Sequence, residues 1–86
     1  MTSTRWALVT GATAGIGESF TRLLAAKGYN VALVARDEAR LHERAGALRE
    51  KYGVQTFVLP ADLATEAGCK AVEDYISTYP IEVLIN

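Results

Sequence analysis

The chain has 86 residues, enough for one domain, and half of them are hydrophobic, so we expect a packed core. A net charge of −1 and a pI near 5.7 argue against a general nucleic-acid binder or a membrane-surface protein. Cys69 is the one cysteine, so no internal disulfide can form, and the first apolar run is too short for a signal peptide or a membrane span. We therefore expect a cytoplasmic protein with no nucleic-acid or membrane partner.

Four short apolar runs predict β-strands. They are residues 6–9, 31–35, 54–59 and 83–85. The second run is continuously apolar, which is typical of a parallel strand covered on both faces. Pro60 ends the third run, because proline has no N–H to donate to a sheet.

Three segments between these runs have apolar residues at helical spacing. The first begins at Ile16 and stops at Gly28, the second runs from the capping residue Asp37 to Gly53, and the third spans residues 66–79. The faces predicted to be buried are Ile16–Phe20–Leu23–Leu24, Leu41–Ala45–Leu48–Tyr52 and Cys69–Val72–Ile76.

This alternation of strands and helices predicts an α/β fold with a doubly wound parallel sheet and right-handed crossovers. The last strand is apolar, and no helix follows that could cover it. We therefore expect residues 1–86 to be the N-terminal βαβαβαβ half of a larger domain.

Three glycines, Gly11, Gly15 and Gly17, separate the first strand from the first helix. The amides of a first helical turn have no intrahelical acceptor and the helix dipole is positive there, so an anionic phosphate fits this position. Glycine lets a ligand approach the backbone, and Gly17 would also let the helix pack closely on the strands. A tight turn without a ligand is the alternative. A Walker-type loop is disfavoured, because Glu18 and Ser19 stand where Lys and Ser/Thr belong.

The segment TGATAGIG, residues 10–17, resembles the TGxxxGIG cofactor motif of the short-chain dehydrogenases/reductases. Asp62 and Leu63, after the third strand, resemble that family's Asp-Val/Leu pair beside the adenine. Residues 83–86 resemble the approach to its Asn-Asn-Ala-Gly segment. The resemblance covers the whole chain and implies a Rossmann-type, cofactor-binding fold. The cofactor contacts that it implies are Gly11, Thr13, Ala14, Gly15, Ile16, Gly17, Asp62 and Leu63.

The end of the second strand predicts which dinucleotide binds. Folds that prefer NAD place an acidic residue there to bind the ribose 2′-OH, whereas this chain has Ala35 followed by Arg36. A guanidinium can bind a 2′-phosphate, which a carboxylate would repel, so we predict NADP(H) with Arg36 as the phosphate ligand. The adjacent Asp37 is better suited to cap the next helix. The alternative for Arg36 is a solvated charge at a strand end.

The family's proton-transfer residues are a Tyr-x-x-x-Lys pair with an upstream Ser. None of the four tyrosines has a lysine four residues later, so no catalytic residue is assigned. No metal ligand is assigned either, because His42 lacks a cluster of ligands at metal spacing. The alternating charges of the second helical segment are interpreted as a solvated face, namely Arg40, Glu43, Arg44, Arg49 and Glu50.

The resemblance therefore implies an NADP(H)-dependent oxidoreductase that interconverts a carbonyl and an alcohol in a small-molecule substrate. This chain would supply the dinucleotide-binding half and would be inactive alone, and homo-oligomers would form through parts outside it. One alternative is a non-catalytic nucleotide-binding module or sensor. Another is a methyltransferase-like half-fold. Such folds usually have an acidic residue where this chain has Ala35 and Arg36.

Overall fold

A four-stranded parallel sheet organises residues 4–86, the part of the chain that the computed structural model describes. The strands are β1 (Trp6–Thr10), β2 (Asn30–Ala35), β3 (Thr56–Pro60) and β4 (Ile81–Ile85), in the spatial order β3-β2-β1-β4. The helices between them are α1 (Gly15–Ala26), α2 (Glu38–Tyr52) and α3 (Glu66–Thr78). The predicted α/β fold with a doubly wound parallel sheet is confirmed.

Alternate residues of the central strands enter two separate cores. Ala7 and Val9 of β1 and Val31 and Leu33 of β2 pack with α1 and α2, in a cluster that includes Leu24, Ala25, Leu41, Ala45 and Leu48. The residues between them, Leu8, Ala32 and Val34, pack with Val72 and Tyr75 of α3. Strand β2 is therefore covered on both faces, as its continuous apolar run predicted.

Most element boundaries differ from the prediction by one or two residues, since β1 ends at Thr10, β2 begins at Asn30 and α1 begins at Gly15. Strand β3 begins at Thr56 and includes Pro60, which lies opposite Ala35 of β2. Proline is tolerated because β3 is an edge strand of this sheet, where a missing N–H breaks no central hydrogen bond. Strand β4 already begins at Ile81, and α3 ends one residue early because Tyr79 is its extended C-cap.

The predicted start and stop signals of the helices are confirmed. The Asp37 side chain accepts the Arg40 amide at 3.2 Å and caps α2. Gly53 ends α2 in the left-handed conformation, with φ of 71°. Gly28 follows the last turn of α1 with φ of 92°, which an L side chain rarely adopts.

The predicted buried face of α1 is confirmed at Leu24, which is buried, and at Phe20, which packs against the core, but not at its other two positions. Thr21, Leu24 and Ala25 are buried, whereas Ile16 and Leu23 are 77% and 49% exposed. A Cβ added at Gly17 would overlap the Gly11 carbonyl group, so α1 rests on the turn by its bare backbone. That contact rotates the helix, because the residues sharing a face with position 17 are 21, 24 and 25.

The predicted buried face of α3 is likewise confirmed at Val72 and, in part, at Ile76, which packs against the core. A Cβ at Gly68 would overlap the backbone of Asp62, and the buried residues are Gly68, Val72 and Tyr75. The prediction that Cys69 is a core residue is wrong, since its side chain is exposed. Its thiol donates to the Leu63 carbonyl oxygen at 3.2 Å.

An aromatic cluster lies near the amino ends of the strands. The Tyr75 ring lies 4.7 Å from the Phe57 ring and 4.6 Å from the Tyr79 ring, measured between centroids. Burial, and secondly the neighbouring Tyr79, raise the pKa of the Tyr75 hydroxyl above its ordinary value of 10.0. This hydroxyl therefore stays protonated at neutral pH and packs as a structural group.

His42 is an exposed side chain on α2, as predicted, and its Nε2 lies 3.5 Å from a Glu38 carboxylate oxygen one turn earlier. Within residues 4–86, no three His, Cys, Asp or Glu side chains come together as metal ligands. None of the described helices combines the length and the apolar character that crossing a membrane requires.

Two glycine-to-alanine substitutions test the close contact beneath α3. Gly68→Ala is expected to lower the free energy of unfolding by about 1–3 kcal/mol, because the new methyl group must displace the Asp62 backbone. Gly46→Ala in α2 is the matched control, since only the tip of the Arg49 side chain lies near the new methyl, at 3.7 Å. That variant should gain up to about 1 kcal/mol from helix propensity. Urea denaturation compares them, and equal stability of the two variants would refute the contact.

Candidate functional site

A cleft of about 700 Å³ lies at the carboxyl ends of β1, β2 and β3. Its lining residues come from the end of β2, from the segments that follow the three strands and from the first turn of α2: Gly11, Thr13, Ala14, Val34, Ala35, Arg36, Asp37, Arg40, Ala61, Asp62, Leu63 and Ala64. Successive strands are added on one side of β1 until β4 pairs on its other side, so the strand order reverses beside β1. Open parallel sheets bind ligands at the carboxyl edge beside such a reversal.

The turn between β1 and α1 forms one wall of the cleft and depends on glycine. Gly11 and Gly15 have φ of 62° and 59°, the left-handed region in which an L side chain is strained. The Ala12 amide donates to the Val34 carbonyl oxygen at 3.2 Å, which fixes the turn against β2. The turn is therefore tight and anchored to the sheet by the protein's own backbone.

The N-terminus of α1 has no side-chain cap, unlike the other two helices. Its N-cap residue is Ala14, whereas Asp37 caps α2 and Thr65 caps α3 through their side chains. The first helical hydrogen bond of α1 runs from the Glu18 amide to the Ala14 carbonyl oxygen at 3.3 Å, so the amides of residues 15–17 precede it. An anionic ligand at this end would accept hydrogen bonds that no side chain of the cap accepts.

Two arginines line the second wall of the cleft. Arg36 follows the last residue of β2 and Arg40 lies in the first turn of α2, and both are exposed. The Asp37 carboxylate between them accepts the Arg40 amide, as the cap of α2. The sequence interpretation of Arg40 as part of a solvated face missed this position, although its spacing of four residues from Arg36 was a usable signal.

The third wall follows β3. The Asp62 carboxylate accepts the Ala64 amide at 2.9 Å, and the Asp62 carbonyl oxygen accepts the Thr65 hydroxyl at 2.8 Å. Asp62 therefore shapes the turn into α3. Leu63 is 37% exposed and adds an apolar surface to the cleft.

The structure brings together most of the residues predicted to bind the cofactor. Those that line the cleft are Gly11, Thr13, Ala14, Arg36, Asp62 and Leu63. Gly15 and Ile16 line a neighbouring surface hollow with Ser19, Phe20 and Leu23. Gly17 packs against the Gly11 backbone, which is the close approach expected of it. The cofactor contacts themselves stay predictions.

Sequence reasoning missed Arg44, which it placed on the solvated face of α2. Its side chain is 34% exposed, and its Nε lies 3.0 Å from a Glu18 carboxylate oxygen. The same Nε donates to the Thr13 carbonyl oxygen at 3.3 Å. No spacing rule signals this contact, because Thr13 lies 31 positions earlier in the chain.

The ends of β1 and β4 are joined beside the cleft. The Thr10 hydroxyl lies 3.1 Å from the Asn86 side-chain oxygen and 3.3 Å from the Ile85 carbonyl oxygen, and its single proton can serve either acceptor. Thr10 and Asn86 belong to the two segments at opposite ends of the chain that carry the family resemblance. The fold thus brings these segments into contact.

Comparison with known proteins agrees with this geometry. The family model for the short-chain dehydrogenases matches residues 5–86. A very-long-chain 3-oxoacyl-CoA reductase of Scheffersomyces stipitis is 44% identical over 84 residues, which are 95% of this chain and 24% of that reductase. The methyltransferase-like alternative is therefore wrong.

Two solved structures share the fold. A short-chain dehydrogenase from Sphingobium yanoikuyae in complex with NADPH has a TM-score of 0.90 and 38% identity, covering 93% of this chain and 32% of that one. The L-sorbose reductase of Gluconobacter frateurii, complexed with NADPH and L-sorbose, has a TM-score of 0.89 and 36% identity, covering 99% and 33%. This chain spans about a quarter of the length of the Scheffersomyces reductase. With its glycine turn, its parallel sheet and the match over residues 5–86, the chain belongs to the short-chain dehydrogenase family.

Proposed function

We propose that this chain binds the adenosine and pyrophosphate part of NADP(H) for an oxidoreductase that interconverts a carbonyl and an alcohol. The uncapped N-terminus of α1, beside the glycine turn and facing the arginine-lined cleft, carries the proposal. Two relatives of known structure are complexed with NADPH, and other relatives are named as reductases, which supports the same function. The cytoplasmic location and the homo-oligomer expected from the sequence stay predictions.

The pyrophosphate would lie against the glycine turn. Gly11 and Ala14 line the cleft without a side chain that could block the approach to the backbone. The amides at residues 15–17 and the positive end of the α1 dipole would stabilise the two phosphate charges. A bound phosphate would thereby complete the cap that Ala14 does not provide.

The 2′-phosphate would lie between Arg36 and Arg40. Both guanidinium groups belong to one wall of the cleft, and Ala35 stands where an acidic residue would favour the ribose 2′-OH of NAD. Asp37 is the one carboxylate on this wall, and one of its oxygens accepts the Arg40 amide as the cap of α2. Leu63, on the third wall, would pack against the adenine.

Hydride exchange with the substrate is the chemistry that NADP(H) supplies when bound. This chain's residues would bind the dinucleotide and orient it, and none of them is assigned a proton-transfer role. The substrate proposed for the whole protein is a small molecule with a carbonyl or alcohol group.

Replacement of Arg36 tests the cofactor preference. The probes are ADP-ribose and 2′-phospho-ADP-ribose, which differ only in the 2′-phosphate. One charge-assisted hydrogen bond contributes about 1.5–3 kcal/mol, so the phosphorylated probe should bind roughly 10- to 150-fold more tightly to the unmutated chain. In calorimetric titration, Arg36→Leu should remove most of this difference and leave ADP-ribose binding nearly unchanged.

A matched control separates the phosphate contact from overall charge. Lys27→Leu removes the same charge at the exposed C-cap of α1 and should keep the preference. Equal affinity of both probes for the unmutated chain, or equal weakening of both by Arg36→Leu, would contradict the assignment of Arg36.

Replacement of Gly15 tests the glycine turn. Gly15→Val is expected to abolish binding of both probes while circular dichroism shows the helical content retained, because the side chain would occupy the place of the pyrophosphate. Gly28→Val is the control, since it imposes a comparable strain at φ of 92° but lies beyond the opposite end of α1, away from the glycine turn. Unchanged affinity in Gly15→Val, measured by calorimetry, would place the phosphate elsewhere.

A further inference from the structure

Arg44 joins three parts of the molecule at the start of α1. It lies in the middle of α2, and its Nε contacts both the Thr13 carbonyl oxygen in the glycine turn and the Glu18 carboxylate in the first turn of α1. About two thirds of the side chain is buried by these contacts and their surroundings. It is therefore held in place, unlike the solvated arginine that the sequence pattern indicated.

The contact with Thr13 orients a peptide group of the cofactor-binding turn. In a trans peptide the carbonyl and the following N–H point in opposite directions. Because Arg44 holds the Thr13 carbonyl, the N–H of Ala14 is directed away from Arg44. Thr13 and Ala14 both line the cleft, so this peptide belongs to the wall where the pyrophosphate would bind.

The contact with Glu18 affects the charge at the same place. Glu18 is the acidic residue in the first turn of α1, where its carboxylate interacts favourably with the helix dipole but would repel an anionic ligand. Arg22 and Arg44 both form ion pairs with Glu18, which offset its charge. Without Arg44, only Arg22 of these two arginines would pair with the Glu18 carboxylate. Less of the negative charge of Glu18 would then be offset at the start of α1.

We propose that Arg44 is a positioning residue for dinucleotide binding, which orients the glycine turn and offsets the charge of Glu18. This inference rests on the proposed function. The role of Arg44 differs from that of Arg36, because Arg44 acts at the pyrophosphate, which NAD(H) and NADP(H) share, and Arg36 acts at the 2′-phosphate, which only NADP(H) carries. Arg44 therefore sets the affinity for both without setting the preference between them.

The test replaces Arg44 by Met, which keeps the length of the side chain and removes its charge and donors. Arg44→Met should weaken ADP-ribose and 2′-phospho-ADP-ribose by the same factor, on the order of tenfold, because a turn that is no longer oriented would lose about one hydrogen bond to the pyrophosphate. The ratio of the two affinities should stay unchanged. Arg44→Lys, which keeps the charge without the planar group, should recover part of the affinity.

Two further variants separate positioning from general stability. Arg49→Met is the matched control, since Arg49 is also in α2 but donates to the Thr56 hydroxyl at 2.7 Å, outside the cleft, and it should bind both probes normally. Adding Glu18→Gln to Arg44→Met removes the carboxylate that only Arg22 still offsets, and it should recover affinity. A purely structural role would predict no recovery, because the double variant has lost a further ion pair.

The outcomes distinguish the inference from the proposed function. If the unmutated chain binds both probes and Arg44→Met binds them within twofold, the proposed function stands and the inference alone fails. A changed ratio of affinities in Arg44→Met, or no recovery in the double variant, also overturns it. If the unmutated chain binds neither probe, the proposed function fails and the inference fails with it.

Discussion

The contact between Gly17 of α1 and the Gly11 carbonyl group determines where the site can form. No side chain fits between them, so the helix begins directly beside the strand that precedes it. Its N-terminus is therefore held at the carboxyl edge of the sheet, where the turn before it bonds to the end of β2. Gly68 makes the corresponding contact with Asp62 and fixes the start of α3 at the same edge.

The sequence was sufficient for the elements, the parallel sheet and most of the cleft. Continuous apolar runs identified the buried strands, and capping residues such as Asp37 and Gly53 bounded the helices. These signals are local, since each depends on a residue and its near neighbours in the chain. The glycine spacing was informative for the same reason, because a left-handed φ at Gly11 and Gly15 is a local backbone requirement.

Helix orientation and the Arg44 contacts could not be read in this way. A buried helix face is predicted from the spacing of large apolar side chains. The tightest contacts of α1 and α3 with the turns, however, are made by glycines, which have no side chain. The predicted faces were consequently right at Leu24 and Val72 but wrongly included Ile16 and Cys69, which are exposed. The contact of Arg44 with Thr13 depends on how α2 packs beside α1, which only the tertiary structure shows.

The position of β1 between β2 and β4 also constrains synthesis of the protein. Strand β2 pairs with β1 after one intervening helix, but the bond between Thr10 and Asn86 spans 76 positions. On the ribosome, one edge of β1 thus stays open until β4 has left the exit tunnel. An open strand edge is a template for pairing with other chains, so β4 removes a risk of mispairing when it joins β1.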